Sequence, residues 1–281
     1  MEKEIKGMER TSNGKIALKT KENSNNAIKY TLIVLVVLTV WTFIQMDYGN
    51  IDLGNALYYS FKDFGAMMFQ PNLDAGHFTW KTVLSETFVT ICVALLCTIG
   101  SAIISFFLGL LAAENFSTPA VSNVVKALMS LIRAIPTILW VLIFTVAIGL
   151  GTEAAVVGIS FHAIAYLTKA FSESFEEINP GTIEALKAAG ASYWPIVFQC
   201  VIPETISKLL SWTFIRFEIN FSNAVAVGAV AGAGGIGYQL FQAGSFYYNV
   251  HEVGVIVYTC LIVALILEII SIQLRNRFII N

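Results

Sequence analysis

The stretch "EEINPGTIEALKAAGASYWPIVFQCVIPE", residues 176–204, separates two long apolar runs and reads as a helix, a sharp turn and a second helix. Asn179 followed by Pro180 has the form of an N-cap and first helical residue, and Glu184 lies near the positive end of the helix that follows. Gly190 is a natural stop, and "SYWPIVFQCVI" is a second amphipathic stretch closed by Pro203. A short helix pair of this kind lies on a membrane face, because the sequence on either side is long enough and apolar enough to cross a bilayer.

Working outward, apolar runs occur at 30–46, 86–113, 128–150, 153–171, 206–230 and 253–274, which predicts an all-α integral membrane protein of about six transmembrane helices. Composition agrees: 56% of the 281 residues are hydrophobic, only 13% are charged, and the mean hydropathy is +0.71, whereas soluble domains carry about a quarter charged residues. Basic residues are retained on the cytoplasmic side. Lys3, Lys6, Arg10, Lys15, Lys19, Lys21 and Lys29 precede the first run, and Arg275 and Arg277 follow the last. Both termini are therefore expected in the cytoplasm, with the 176–204 stretch, and the multi-pass chain in the cell membrane. The first run is preceded by basic residues, as in a signal peptide, but "WTFIQMDYGN" offers no small-residue cleavage pattern, so it reads as an uncleaved helix. Three regions follow: a polar, flexible cytoplasmic tail at 1–28, a first helix with an external loop at 29–82, and the main transmembrane domain at 83–281 with its loop at 173–204.

The fifth run carries a polar stripe. Arg216, Asn220 and Asn223 stand at i, i+4 and i+7 and share a face, while Glu218 and Ser222 form a neighbouring i, i+4 pair. Charged residues at the bilayer centre cost at least about 2.5 kcal/mol each and face a bundle interior or an aqueous cavity. Arg216 with the amides either lines a path for an anionic oxyacid or makes structural ion pairs with other helices. His162, alone in the fourth run, either donates to a backbone carbonyl or lines the same path. Arg133 is placed near the cytoplasmic end of the third helix, where Pro136 kinks that helix or marks its start.

"AGAGGIGYQL", residues 231–240, sets Gly232, Gly234, Gly235 and Gly237 in the order of a dinucleotide fingerprint. The context excludes that reading: the glycines follow a membrane helix instead of a strand, in a connection free of Lys and Arg that is expected to face outward. They suit either a plain interhelical loop or an irregular chain at the outer mouth of a path.

Chemistry is not encoded. His77, His162 and His251 are far apart, no GxSxG or GxxxxGK[ST] is present, and Cys92, Cys97, Cys200 and Cys260 show no CxxC spacing. Neither metal nor cofactor is expected, and a net charge of -2 gives no nucleic-acid footprint.

The 176–204 stretch also resembles a family signature. Glu184-Ala185, Gly190 and, thirteen residues later, Pro203 match the offsets of the EAA loop of ABC importer permeases, with Leu186, Cys200 and Ile202 as apolar departures. "RAIPTILWVLIFTVAIGLG" from Arg133, His162, "INPGTIEALKAAGAS", "RFEIN" and "GAGGIG" together look like phosphonate importer permeases, although relatives often carry an acidic residue where Thr137 stands and an arginine where Ser222 stands. The resemblance implies type I importer architecture in which this loop is the coupling helix. It further implies a separate cytoplasmic ATPase, an external binding protein, a second permease copy or paralogue, and a small oxyanion substrate: phosphonate, phosphite or a phosphate ester. An ABC permease for another solute, or an ion-coupled secondary transporter using Glu218 or His162, are the alternatives.

Overall fold

The computed structural model describes residues 8–10, 16–18, 22–46, 49 and 52–279, and the side chains of residues 26–46, 49 and 52–276. The chain falls into two compact units, residues 1–58 and 59–281. The first contains a short antiparallel pair, β1 (Met8–Arg10) and β2 (Ile16–Leu18), and α1 (Glu22–Gln45). Most of the expected tail at 1–28 lies outside the described residues. Within α1, the segment Asn26–Gln45 is apolar and long enough to span a bilayer, and its side chains are exposed along its whole length.

A helix not anticipated from the sequence follows, α2 (Leu53–Phe69), which starts in the first unit and runs into the second. Its 17 residues include Asn55, Lys62 and Asp63, polar enough to read as loop. In the second unit its end is tied down at Met68, whose carbonyl accepts from Tyr258 Oη at 2.6 Å.

The second unit is a helical bundle. α3 (Trp80–Ala112) is capped by Thr79, whose hydroxyl accepts from Thr82 N–H. α4 (Pro119–Ala134) and α5 (Thr137–Ile148) meet at a 90° bend, so the third apolar run is not one straight helix. Proline explains the break: Pro136 disfavours helical geometry at the preceding residue, and Ile135 is extended with φ -96° and ψ 125°. α6 (Thr152–Glu176) is the central helix, packed on α3, α5 and α9. α7 (Pro180–Ala188) and α8 (Tyr193–Ile196) form the 176–204 stretch. α9 (Ile202–Ala231), α10 (Gly235–Phe241) and α11 (Val250–Ile279) complete the order.

Pro203 does not close the second helix of that stretch. α8 runs through a π-helical segment, Val197–Val201, directly into α9, with Pro203 in the first turn of α9. A π segment widens the backbone ahead of the proline, where the carbonyl four residues back would otherwise clash with its ring. Among the described residues four helices are long and apolar enough to cross a membrane, and the two bent pairs, α4 with α5 and α8–α9 with α10, bring the number to six if each is one span.

What holds the centre together is a ladder of small polar side chains. Cys97, Ser101 and Ser105 stand at i, i+4 and i+8 on α3 and donate to the α6 carbonyls of Val156, Ser160 and Ile164 at 3.6, 3.1 and 3.0 Å. In a medium without competing water, small residues permit close approach and each such bond contributes about 0.6 kcal/mol. α5 crosses α6 as closely: a Cβ built on Gly158 would lie 2.6 Å from Val141 Cα.

Candidate functional site: a buried arginine cluster and two loops

The polar stripe of α9 comes together with α6 and α3 about halfway along each helix. Arg216 is 2% exposed and Asn220 fully buried. The guanidinium Nη2 of Arg216 lies 3.0 Å from His162 Nδ1, and its carbon sits 5.2 Å from the centre of the Tyr166 ring, a cation–π distance. Arginine offers donors only, so His162 Nδ1 accepts and the imidazole is neutral with its proton on Nε2. Asn220 Nδ2 donates to Thr98 Oγ1 at 2.9 Å. Among the described residues no carboxylate lies within ion-pair distance of Arg216. Arg216 Nε and Asn220 Oδ1 are buried without hydrogen-bond partners, as is Glu218 Oε1 beside the cluster. The cluster therefore holds one uncompensated positive charge together with spare donor and acceptor capacity.

The remaining stripe residues diverge. Glu218 and Asn223 are half-buried and Ser222 is exposed, so they flank the cluster on the open side of α9 instead of joining it. Tyr166 and Thr98 were not singled out from sequence; Tyr166 is one helical turn from His162 and was legible as its neighbour, whereas Thr98 is joined to Asn220 only by tertiary packing.

The 176–204 stretch is a rigid element. Asn179 Oδ1 accepts from Gly181 N–H at 2.9 Å, and Pro180 opens α7. At the other end Gly190 N–H donates to Lys187 O and Ala191 N–H to Leu186 O, both at 3.0 Å, which is a Schellman motif with Gly190 at φ +85°. Ile183, Ile196 and Val197 are buried in one cluster with Phe171 and Phe175 of α6 and Leu209 of α9. Glu184, Ala185, Gly190 and Pro203 are all exposed. The stretch thus grips the bundle by one face and offers the other.

At the opposite end, the glycine loop is packed backbone against backbone. Gly232 ends α9 at φ +60°, and Gly234 and Gly235 also have positive φ. Glu86 of α3 accepts from Gly235 N–H at 3.0 Å, and Thr90 Oγ1 accepts from Ile236 N–H at 2.9 Å. A Cβ on Gly237 would lie 1.8 Å from Val225 O, so only glycine fits where α10 folds back on α9.

Comparison with known proteins agrees with this architecture. Residues 105–278 match the family described as the binding-protein-dependent transport system inner membrane component. The chain is 29% identical over 247 residues to the phosphate-import permease protein PhnE of Mycolicibacterium smegmatis, which covers 88% of this chain and 45% of that protein. It is 30% identical over 212 residues to the putative phosphite transport system permease protein HtxC of Stutzerimonas stutzeri, covering 75% and 72% of the two chains. A probable D-methionine transport system permease protein, MetI of Pasteurella multocida, is 29% identical over 166 residues, covering 55% and 76%. The chain spans less than half the length of the first of these relatives. In three dimensions it is similar to the inward-facing MetNI methionine ABC transporter, with a TM-score of 0.63 at 21% identity over 70% of this chain and 96% of that one, which shows the fold. A match to one family over well more than half of the chain, four to six candidate spans among the described residues and this fold converge: the chain belongs to the binding-protein-dependent transport inner-membrane family, the multi-pass permeases of ABC importers.

Proposed function

We propose that the chain forms the translocation path of an ATP-driven importer for a small phosphorus oxyanion, phosphonate first, with phosphite and phosphate esters in the same class. The observation that carries the proposal is Arg216: a buried cation halfway along the bundle, held by neutral partners and lacking a carboxylate among the described residues. A charge in that position is costly, and a passing anion supplies the missing counter-charge. The names of the phosphate-import and phosphite permeases among its relatives support the same class.

Three further assignments belong to this reading. The exposed face of α7, with Glu184 and Ala185, docks on a cytoplasmic ATPase, and its buried face transmits movement to α6 and α9 through Ile183. Half-buried Glu218 and Asn223 and exposed Ser222 need an aqueous or protein neighbour, which a second permease copy or paralogue supplies across the path. The glycine loop lies on the outer side, where a binding protein releases its ligand, and both termini are cytoplasmic. ATP binding draws the coupling helices together and opens the path outward; hydrolysis returns it inward.

Purification from native membranes with mass spectrometry of the bound subunits tests the assembly. An ATPase in near-equal amount supports it, and the accompanying binding protein is then titrated calorimetrically with methylphosphonate, phosphite and phosphate. A chain that purifies alone, with uptake following a proton gradient without ATP, refutes it.

A further inference from the structure

A second polar site lies off the Arg216 cluster. Between α4 and α6 is a cavity of about 290 Å³ lined by Lys126, Arg133, Thr168, Lys169 and Glu173, among others. It opens on the α6 face that carries His162 and Tyr166, because 162, 166, 169 and 173 recur at helical spacing, and it lies toward the α7 end.

Two features indicate that this cavity holds a ligand. The first is Thr168. Buried threonines elsewhere in these helices bond back to the carbonyl four residues earlier: Thr87 to Val83, Thr98 to Ala94 and Thr205 to Val201, at 2.7, 2.7 and 2.6 Å. Thr168 is equally buried, at 0% exposure, yet its hydroxyl has no hydrogen-bond partner. A buried hydroxyl left unpaired costs about 1–3 kcal/mol, so a donor kept free at a cavity wall is a group awaiting an acceptor.

The second is the balance of charge. Lys126 is held by Glu114 and Glu176 at 2.7 and 3.0 Å, and Lys169 by Glu173 at 3.5 Å. Arg133 has no carboxylate partner among the described residues; it donates to Met129 O at 3.3 Å and Ser130 Oγ at 3.2 Å. Of the three lining cations, Lys126 and Lys169 are thus taken up by carboxylates, and Arg133 is the one left without such a partner among the described residues. Arg133, whose planar guanidinium binds tetrahedral oxyanions in bidentate fashion, and Thr168 line the same cavity.

We propose that this cavity binds a phosphorus oxyanion on Arg133 and Thr168, the anion being either free phosphate or phosphonate or the headgroup phosphate of an anionic lipid. The binding stands on the cavity alone. Its role as the inner stop on the route of an imported anion rests on the importer reading.

The test is equilibrium binding of labelled orthophosphate to the full chain in phosphatidylcholine nanodiscs, without ATP or partners, in an Arg216→Met background that removes the other cluster. Saturable binding is expected, weakened at least tenfold by Arg133→Gln and at least threefold by Thr168→Val, and retained in Thr168→Ser. Thr168→Val removes an unpaired hydroxyl at constant shape, so it folds even if Arg133→Gln does not. Replacing phosphatidylcholine with phosphatidylglycerol distinguishes the sources: an apparent Kd raised tenfold or more assigns the lipid headgroup, and an unchanged one assigns the free anion. Absence of saturable binding, or binding indifferent to both Arg133→Gln and Thr168→Val, overturns the proposal, whatever the outcome of uptake measurements.

Discussion

Arg216 of α9 and His162 of α6 are joined at 3.0 Å, guanidinium to a neutral imidazole, about halfway along the two helices. A structural arginine at such depth is normally neutralised by an acid. Here the partners are His162, Tyr166 and, one turn away, Asn220 with Thr98, none of which supplies a counter-charge.

Arg216→Met separates the two roles an arginine can have. Replacing a buried charge by an apolar side chain of similar reach is neutral or stabilising. The variant is expected to melt at or above the wild-type temperature while ATP-driven uptake of phosphonate falls at least tenfold. Unchanged uptake by folded Arg216→Met returns the residue to a structural role.

His162→Phe leaves the Arg216 guanidinium without its acceptor, adding an unpaired buried donor to the unpartnered Nε. A loss of about 1–3 kcal/mol is expected. His162→Gln, which keeps an acceptor, is expected to recover most of it in a thermal or denaturant unfolding series.

Glu184→Lys changes an exposed side chain on the free face of α7. It is expected to leave the melting temperature within the error of the measurement and to abolish association with the ATPase. Gly190→Ala meets open space but must hold φ +85°, so it costs about 1–2 kcal/mol and weakens association only through distortion of the loop.

The glycine loop supplies an internal comparison. Gly237→Ala places a Cβ 1.8 Å from Val225 O, so α10 cannot fold back and monodisperse protein is lost in size-exclusion chromatography. Gly232→Ala has space and only a left-handed cap to maintain, and is expected to yield folded protein about 1 kcal/mol less stable.

The spans were readable in the sequence because the bilayer demands long uncharged runs. The stop at Gly190 and the cap at Asn179 were readable because both are local motifs. α2 was missed because Asn55, Lys62 and Asp63 dilute its apolar face below that of a span. The continuation of α9 back through Pro203 was missed because a π segment is a tertiary accommodation with no residue signature. The Cys97, Ser101, Ser105 ladder escaped notice since small polar residues every four positions look like filler until a facing helix is known. Spacing put Arg216, Asn220 and Asn223 on one face, but Asn223 is only half-buried and does not join the other two; the partners Thr98 and Tyr166 come from other helices, and which side of α9 is open follows only from packing.

The most direct test of the central claim is uptake of labelled methylphosphonate into vesicles that hold the chain with its co-purified ATPase, supplied with the binding protein outside and ATP inside. The account predicts ATP-dependent accumulation that excess unlabelled phosphonate suppresses and that Arg216→Met abolishes. Accumulation of a neutral or zwitterionic solute with no competition by any phosphorus oxyanion would contradict it.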